Sequence, residues 1–117
     1  MEENQLSEYF KNAEIIQQTA QQTQKDFGML NFEILFSGNQ ETAYQELFVQ
    51  IQTIVCKLLQ QNYQQLMDVL YRIDVSEKKI SETLKNLDAK TLPDIITALI
   101  LNRELQKVII RNTYSLK

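Results

Sequence analysis

Apolar residues recur at spacings of three and four along most of this chain, which is the period of an amphipathic α-helix. The longest such run lies between about 40 and 73 and would form a helix roughly 50 Å long if unbroken. Asn62 falls within its apolar stripe, beside two further amides, so a bend or a buried polar contact is expected there. The stripe consists of Tyr44, Leu47, Phe48, Ile51, Ile54, Val55, Leu58, Leu59, Leu66, Val69, Leu70 and Ile73.

Three more helices are predicted around this one. The first covers about 5–27, and Gly28 directly after it suits a left-handed C-terminal cap. A short helix follows at about 76–87, and the last helix covers about 92–111. The last helix is apolar on all sides over Ile95–Leu101, so it should lie near the centre of the fold.

The segment 29–37 breaks the helical period. Leu30, Phe32, Ile34 and Phe36 alternate with other residues, which predicts an extended apolar connector. Because a lone strand cannot satisfy its own backbone hydrogen bonds, this segment must pair with another element, lie against the bundle, or form a helical turn. The pattern leaves these three possibilities open.

Together these elements predict an all-α fold, an antiparallel helical bundle of three long helices and one short helix joined by the extended connector at about 29–37. The 117 residues fit a single domain, 1–117, and residues 112–117 are expected to be a frayed tail. With two glycines and one proline, the chain lacks the turn residues that an all-β fold needs. The chain is Gln-rich, and glutamine is a fair helix former that suits solvated helix faces.

Charge and cysteine usage indicate a cytoplasmic protein without membrane association. The net charge is −3, and the N-terminal sequence resembles no signal peptide. The longest strongly apolar run is far shorter than the ~20 residues that span a bilayer. Cys56 is the only cysteine, so no internal disulfide can form.

Candidate chemistry is limited by the complete absence of histidine. This removes imidazole bases, serine–histidine and cysteine–histidine pairs, and most zinc and di-iron ligand sets. Glu46, Asp68 and Glu104 form no acidic pair at helical spacing and are interpreted as solvated surface acids. No glycine-rich phosphate loop is present. We therefore expect no enzyme activity, no catalytic residue, no metal and no cofactor.

A basic line at i, i+4 and i+8 runs along the last helix through Arg103, Lys107 and Arg111. Such a line could contact phosphates, which would make the protein a nucleic-acid-associated regulator. The favoured interpretation is a solvated face that also contacts the acidic N-terminal half, so nucleic acid is an unlikely partner.

The remaining inference is binding to another protein. The predicted apolar faces exceed what a thin first helix and a short third helix can cover, and uncovered apolar area favours association. The chain is therefore interpreted as a self-associating scaffold or adaptor protein, a homodimer that also binds a protein partner. Its expected interface anchors are Phe32, Ile34, Phe36, Tyr44 and Phe48. A helical pocket for an apolar ligand is a further alternative.

Overall fold

The computed structural model describes residues 12–86 and 91–115, and all regular secondary structure within them is helical. This confirms the predicted all-α helical bundle. The elements in chain order are α1 (Ala13–Gly28), a 3-10 turn (Gln40–Thr42), α2 (Ala43–Gln61), α3 (Tyr63–Ile73), α4 (Glu77–Asn86) and α5 (Leu92–Ser115). No helix in these ranges combines the length and hydropathy needed to cross a bilayer.

Helix α5 is the centre of the bundle, because it packs against each of the other four described helices. Its buried Ile96, Ile100 and Leu101 join the main core formed with α2 and α3, and Leu105 and Val108 form a second cluster with α1. This is the central position that the all-round apolar sequence predicted. Helix α5 runs antiparallel to α1, since its residues pair with α1 residues in the reverse order.

The predicted long helix is divided into α2 and α3 at Asn62. The Asn62 backbone is extended (φ −156°, ψ 77°), so the helical hydrogen bonding stops and starts again. Its side-chain oxygen accepts a hydrogen bond from Gln65 N at 3.1 Å, which caps the new helix. The amide in the apolar stripe is thus the point where the element ends.

Helix α1 ends differently from the prediction. Its expected start near residue 5 lies outside the described residues, and the helix begins at Ala13 with Asn12 as N-cap. The prediction that Gly28 is a left-handed cap is wrong, because Gly28 is the last helical residue and Asn31 has the positive φ of 68°. Phe32 N donates to Phe27 O at 2.9 Å, which closes the turn as a Schellman motif.

The end of α3 and the start of α4 each have a local signal. Asp74, with φ 67°, ends α3, and Val75 N donates to Leu70 O at 3.0 Å. Ser76 Oγ accepts a 3.4 Å bond from Lys79 N at the start of α4. The predicted end of the short helix at residue 87 lies outside the described residues.

The first four residues of the tail predicted at 112–117 belong to α5, which continues to Ser115. Asn112 in this segment makes two side-chain hydrogen bonds. Its Nδ2 donates to Gln18 Oε1 at 2.6 Å and to Val108 O at 2.8 Å.

Candidate functional site

The connector, residues 29–37, is an extended segment without regular secondary structure from Phe32 onward, and alternate side chains face in and out. Ile34 is buried, and Phe32 and Phe36 are half-buried against the main core. Leu35 between them is exposed. This burial has the period of two that the sequence predicted. Ile34, one of the five expected interface anchors, therefore lies in the core of the single chain.

Side chains of α1 and α2 satisfy the connector backbone. Gln50 Oε1 accepts from Leu35 N at 2.8 Å, and Gln50 Nε2 donates to Leu35 O at 2.7 Å. Gln24 Nε2 donates to Ile34 O at 3.0 Å. Two glutamine amides thus replace the neighbouring strand that an extended segment normally requires.

Glu46 holds the end of the connector. Its carboxylate accepts hydrogen bonds from Ser37 N (2.9 Å), Ser37 Oγ (2.7 Å) and Thr42 Oγ1 (2.5 Å). The bonds from Ser37 and Thr42 favour the ionised form and lower the pKa of Glu46. Glu46 is therefore a structural anchor that joins the end of the connector to α2.

Tyr44 and Phe48 stack on one another, with ring centroids 5.7 Å apart. They precede Glu46 and Gln50, respectively, by two residues, which places them about 200° around α2 from the side that holds the connector. Tyr44 is exposed and Phe48 is half-buried. The structure therefore does not bring the five expected anchors into one surface.

Three other apolar side chains near the connector are exposed, and none of them is one of the five expected anchors. Met29 and Leu35 are 64% and 63% exposed, and Val49, next to Gln50 on α2, is 45% exposed. We name the exposed side of the connector and the adjoining edge of α2 the connector face, defined by Met29, Leu35 and Val49. Leu35 is the exception among the outward-facing residues of the extended segment, because the others are polar.

The basic line on α5 is engaged within the chain. Arg103 donates to Asp74 O from Nε at 3.0 Å and to Asp74 Oδ2 from Nη2 at 3.1 Å. Arg111 Nη1 donates to Gln22 Oε1 at 2.9 Å. Lys107 between them turns inward. The three cations therefore lie on one helix as predicted, but each is already held by a side chain of another element.

Lys107 is the centre of a buried ionic cluster formed with Asp26 and Glu104. Its Nζ lies 2.6 Å from Asp26 Oδ2 and 2.6 Å from Glu104 Oε1, and Arg72 Nε lies 3.5 Å from Asp26 Oδ1. Glu104 is completely inaccessible to solvent, and Asp26 is nearly so. The interpretation of Glu104 as a solvated surface acid is therefore wrong.

The pKa values of the two acids in this cluster are shifted in opposite directions. Burial raises the pKa of Glu104 to about 8, and interaction with the neighbouring Asp26 carboxyl also raises it, whereas Lys107 opposes the shift. Burial by itself would also raise the pKa of Asp26, but hydrogen bonding with Glu104, Lys107 and Gln22 lowers it overall. The pair therefore favours one proton on Glu104 and a charge on Asp26 near neutral pH.

A helical period in the sequence contained the signal for this cluster. Glu104 follows Leu101 by three residues and precedes Val108 by four, so it belongs to the buried stripe of α5. Asp26 similarly follows the buried Thr23 by three residues. Acidic residues are usually solvated, but the helical spacing of Glu104 and Asp26 places both in the buried stripes of their helices.

The arrangement ties three helices together. It joins α1, α3 and α5, and the Lys107 ammonium occupies the position between the two carboxyl groups. Within residues 12–86 and 91–115, no group of three or more metal-ligating side chains comes together. The geometry therefore supports a role in packing the bundle.

Comparison with family models, curated proteins and solved structures found no match to this chain.

Proposed function

We propose that this protein is a non-catalytic interaction module that self-associates as a homodimer through the connector face. The observation that supports this proposal most is the exposure of Leu35 at 63%, in a segment whose neighbouring side chains pack inward. The exposed Leu35 and Val49 both carry apolar area that association would remove from water, worth about 25 cal/mol per Å².

The connector is also ordered before a partner binds. The Gln50 side chain holds the backbone of Leu35, and the Glu46 side chain holds Ser37 two residues later. A segment that is already fixed loses less conformational entropy on association than a free loop does. The half-buried Phe32 and Phe36 pack the segment against the main core, so we assign them a supporting role at the interface.

The non-catalytic part of the proposal is supported by the position of the perturbed carboxyls. Asp26 and Glu104 lie between helices, where a substrate has no access. The nucleic-acid alternative has less support, because a phosphate would have to compete with Asp26 and Glu104 for Lys107. The single half-buried cysteine supports a cytoplasmic location, in which thiols remain reduced.

Light scattering coupled to size exclusion tests the self-association. We expect a mass twice that of the 13.8 kDa chain at micromolar concentrations. Leu35→Ser should weaken the dimer about tenfold or more, since it removes roughly 1.4 kcal/mol or more of apolar burial. Ile110→Ser changes a similarly exposed apolar residue on α5 and should leave the mass unchanged.

Two results would overturn the proposal. The first is a wild-type chain that remains monomeric over the whole concentration range. The second is a dimer that Leu35→Ser and Val49→Ser leave as stable as the wild type, while both variants keep the wild-type circular dichroism spectrum.

A further inference from the structure

A second surface, distinct from the connector face, lies between α3 and α4. The left-handed backbone at Asp74 turns the chain sharply there, so the two helices diverge and leave a groove of about 430 Å³. We name it the α3/α4 groove. It is lined by Gln64, Met67, Asp68, Leu70, Tyr71, Asp74, Val75, Ser76, Glu77 and Ile80.

The groove has an apolar floor and an exposed aromatic rim. Leu70 and Val75 are buried at its base, and Met67 and Ile80 are half-buried against the main core. Tyr71 is 85% exposed, although a tyrosine ring carries a large apolar area. An aromatic side chain that stands open beside an apolar floor is typical of a protein-binding surface.

The charge of the groove has a single sign. Asp68, Asp74 and Glu77 contribute three carboxylates to its lining, and no lysine or arginine is among the described residues that line it. The nearest cations on α4, Lys78 and Lys79, project about 100° and 200° around the helix from Glu77, away from the groove. The groove therefore attracts cations and repels phosphates and anionic lipids.

Asp74 is already paired, but it retains capacity for a second cation. Its Oδ2 accepts from Arg103, while its side chain is 82% exposed. A carboxylate has about four acceptor positions. Asp68, on α3, accepts one bond from the neighbouring Gln64 at 3.2 Å and is likewise exposed. Carboxylates therefore face the groove from both of its walls.

We propose that the α3/α4 groove is a docking site for a cationic amphipathic helix of a partner protein. Apolar side chains of that helix would lie against Met67, Tyr71 and Ile80, and its lysines or arginines would pair with Asp68 and Glu77. The mixture of an apolar floor and carboxylate walls favours a partner with both characters on adjacent faces, which a helix presents at spacings of three and four. This inference does not depend on the proposed self-association, because it uses a different surface.

The probe is a fluorescein-labelled peptide of leucine and lysine in amphipathic helical order, about 18 residues long so that it can become helical when bound. One control peptide has glutamate in place of lysine, and a second has the same leucine and lysine composition in scrambled order. Fluorescence anisotropy at low salt should show saturable binding of the ordered cationic peptide alone, weakening as salt increases.

Matched variants locate the binding. Glu77→Gln should weaken the ordered peptide about fivefold, whereas Glu82→Gln removes an exposed glutamate of the same helix outside the groove and should change binding less than twofold. Tyr71→Ser should weaken binding about tenfold, and Tyr63→Ser, also exposed on α3, should have little effect. Leu35→Ser should bind the peptide as the wild type does.

Each of the following outcomes would overturn the proposal. Equal binding of the scrambled peptide, or equal losses from Glu77→Gln and Glu82→Gln, would show diffuse charge attraction without docking. Absence of saturable binding to the folded wild-type chain would remove the site. A dimer that Tyr71→Ser disrupts would show that the groove holds a second copy of this chain and no cationic helix.

Discussion

Asn31 and Asp74 determine where α1 and α3 end. Both have a left-handed backbone, with φ of 68° and 67°, which only glycine adopts without cost but which asparagine and aspartate tolerate better than most residues. At each turn the next residue, Phe32 or Val75, donates to a carbonyl five residues earlier. The Phe27 and Phe32 rings meet edge to face at 6.4 Å, which supplies the hydrophobic contact typical of this cap.

Substitutions at Gly28 and Asn31 should therefore act in opposite directions. Gly28 has a helical backbone, and a Cβ added there meets no atom within 4 Å. Gly28→Ala should raise the free energy of unfolding by about 0.5–1 kcal/mol, because alanine restricts the unfolded chain more than glycine does. Asn31→Ala should lower it by roughly 1 kcal/mol, because alanine is strained at positive φ. Urea denaturation followed by circular dichroism measures both changes.

Asn31→Gly is the matched control and should be at least as stable as the wild type. If Gly28 were the left-handed cap that the sequence predicts, Gly28→Ala would lower the free energy of unfolding and Asn31→Ala would leave it nearly unchanged. The sequence from Gly28 to Asn31 is compatible with a helix that ends at either of these two residues. Local pattern alone does not choose between them, because the contact of Phe27 with Phe32 favours the later one.

The connector shows what an element requires beyond its own pattern. Alternation of apolar residues predicted an extended segment, and the burial of Ile34 between exposed neighbours confirms it. The partner of its backbone could not be predicted, because Gln24 and Gln50 are distant in sequence from the groups they bind. These two glutamines were expected on solvated helix faces, but their side chains hold the connector in place.

Gln50→Ala should loosen the connector without unfolding the bundle. The variant loses both hydrogen bonds to Leu35, at a cost of about 1 kcal/mol because the backbone groups can bind water instead. Amide hydrogen exchange at Leu35 should accelerate clearly. Gln45→Ala, at an exposed position of the same helix, should leave that exchange rate unchanged, and equal rates in both variants would contradict the role assigned to Gln50.

At the scale of the whole molecule, the buried ionic cluster couples stability to pH. Folded Glu104 has a pKa of about 8 against an ordinary value of 4.5, so between these values only the folded state holds this proton. The free energy of unfolding must therefore fall as pH rises through that window and level off above it. Asp26 acts in the opposite sense: its lowered pKa adds stability above 3.8 that is lost on further acidification.

We expect the wild type to lose stability from pH 5 to pH 8, with a slope of at most about 1.4 kcal/mol per pH unit for one proton. Glu104→Gln keeps the shape and an N–H donor but cannot ionise, so its free energy of unfolding should be nearly flat across this window. Glu33→Gln, at an exposed position of the connector, should keep the wild-type slope. Urea denaturation at each pH gives the comparison, and parallel curves for Glu104→Gln and wild type would contradict the assignment.

Four features could be predicted from the order of the residues alone: the class of the fold, the interruption at Asn62, the extended connector and the central position of the last helix. These features follow from hydrophobic period and local chemistry, which act between residues close in the chain. Three others are visible only in the folded chain: Lys107 lies between Asp26 and Glu104, glutamines hold the connector, and Ile34 is covered while Leu35 is not. These contacts depend on which helix faces come together, and the cost of burying charge depends on partners that are far apart in the chain.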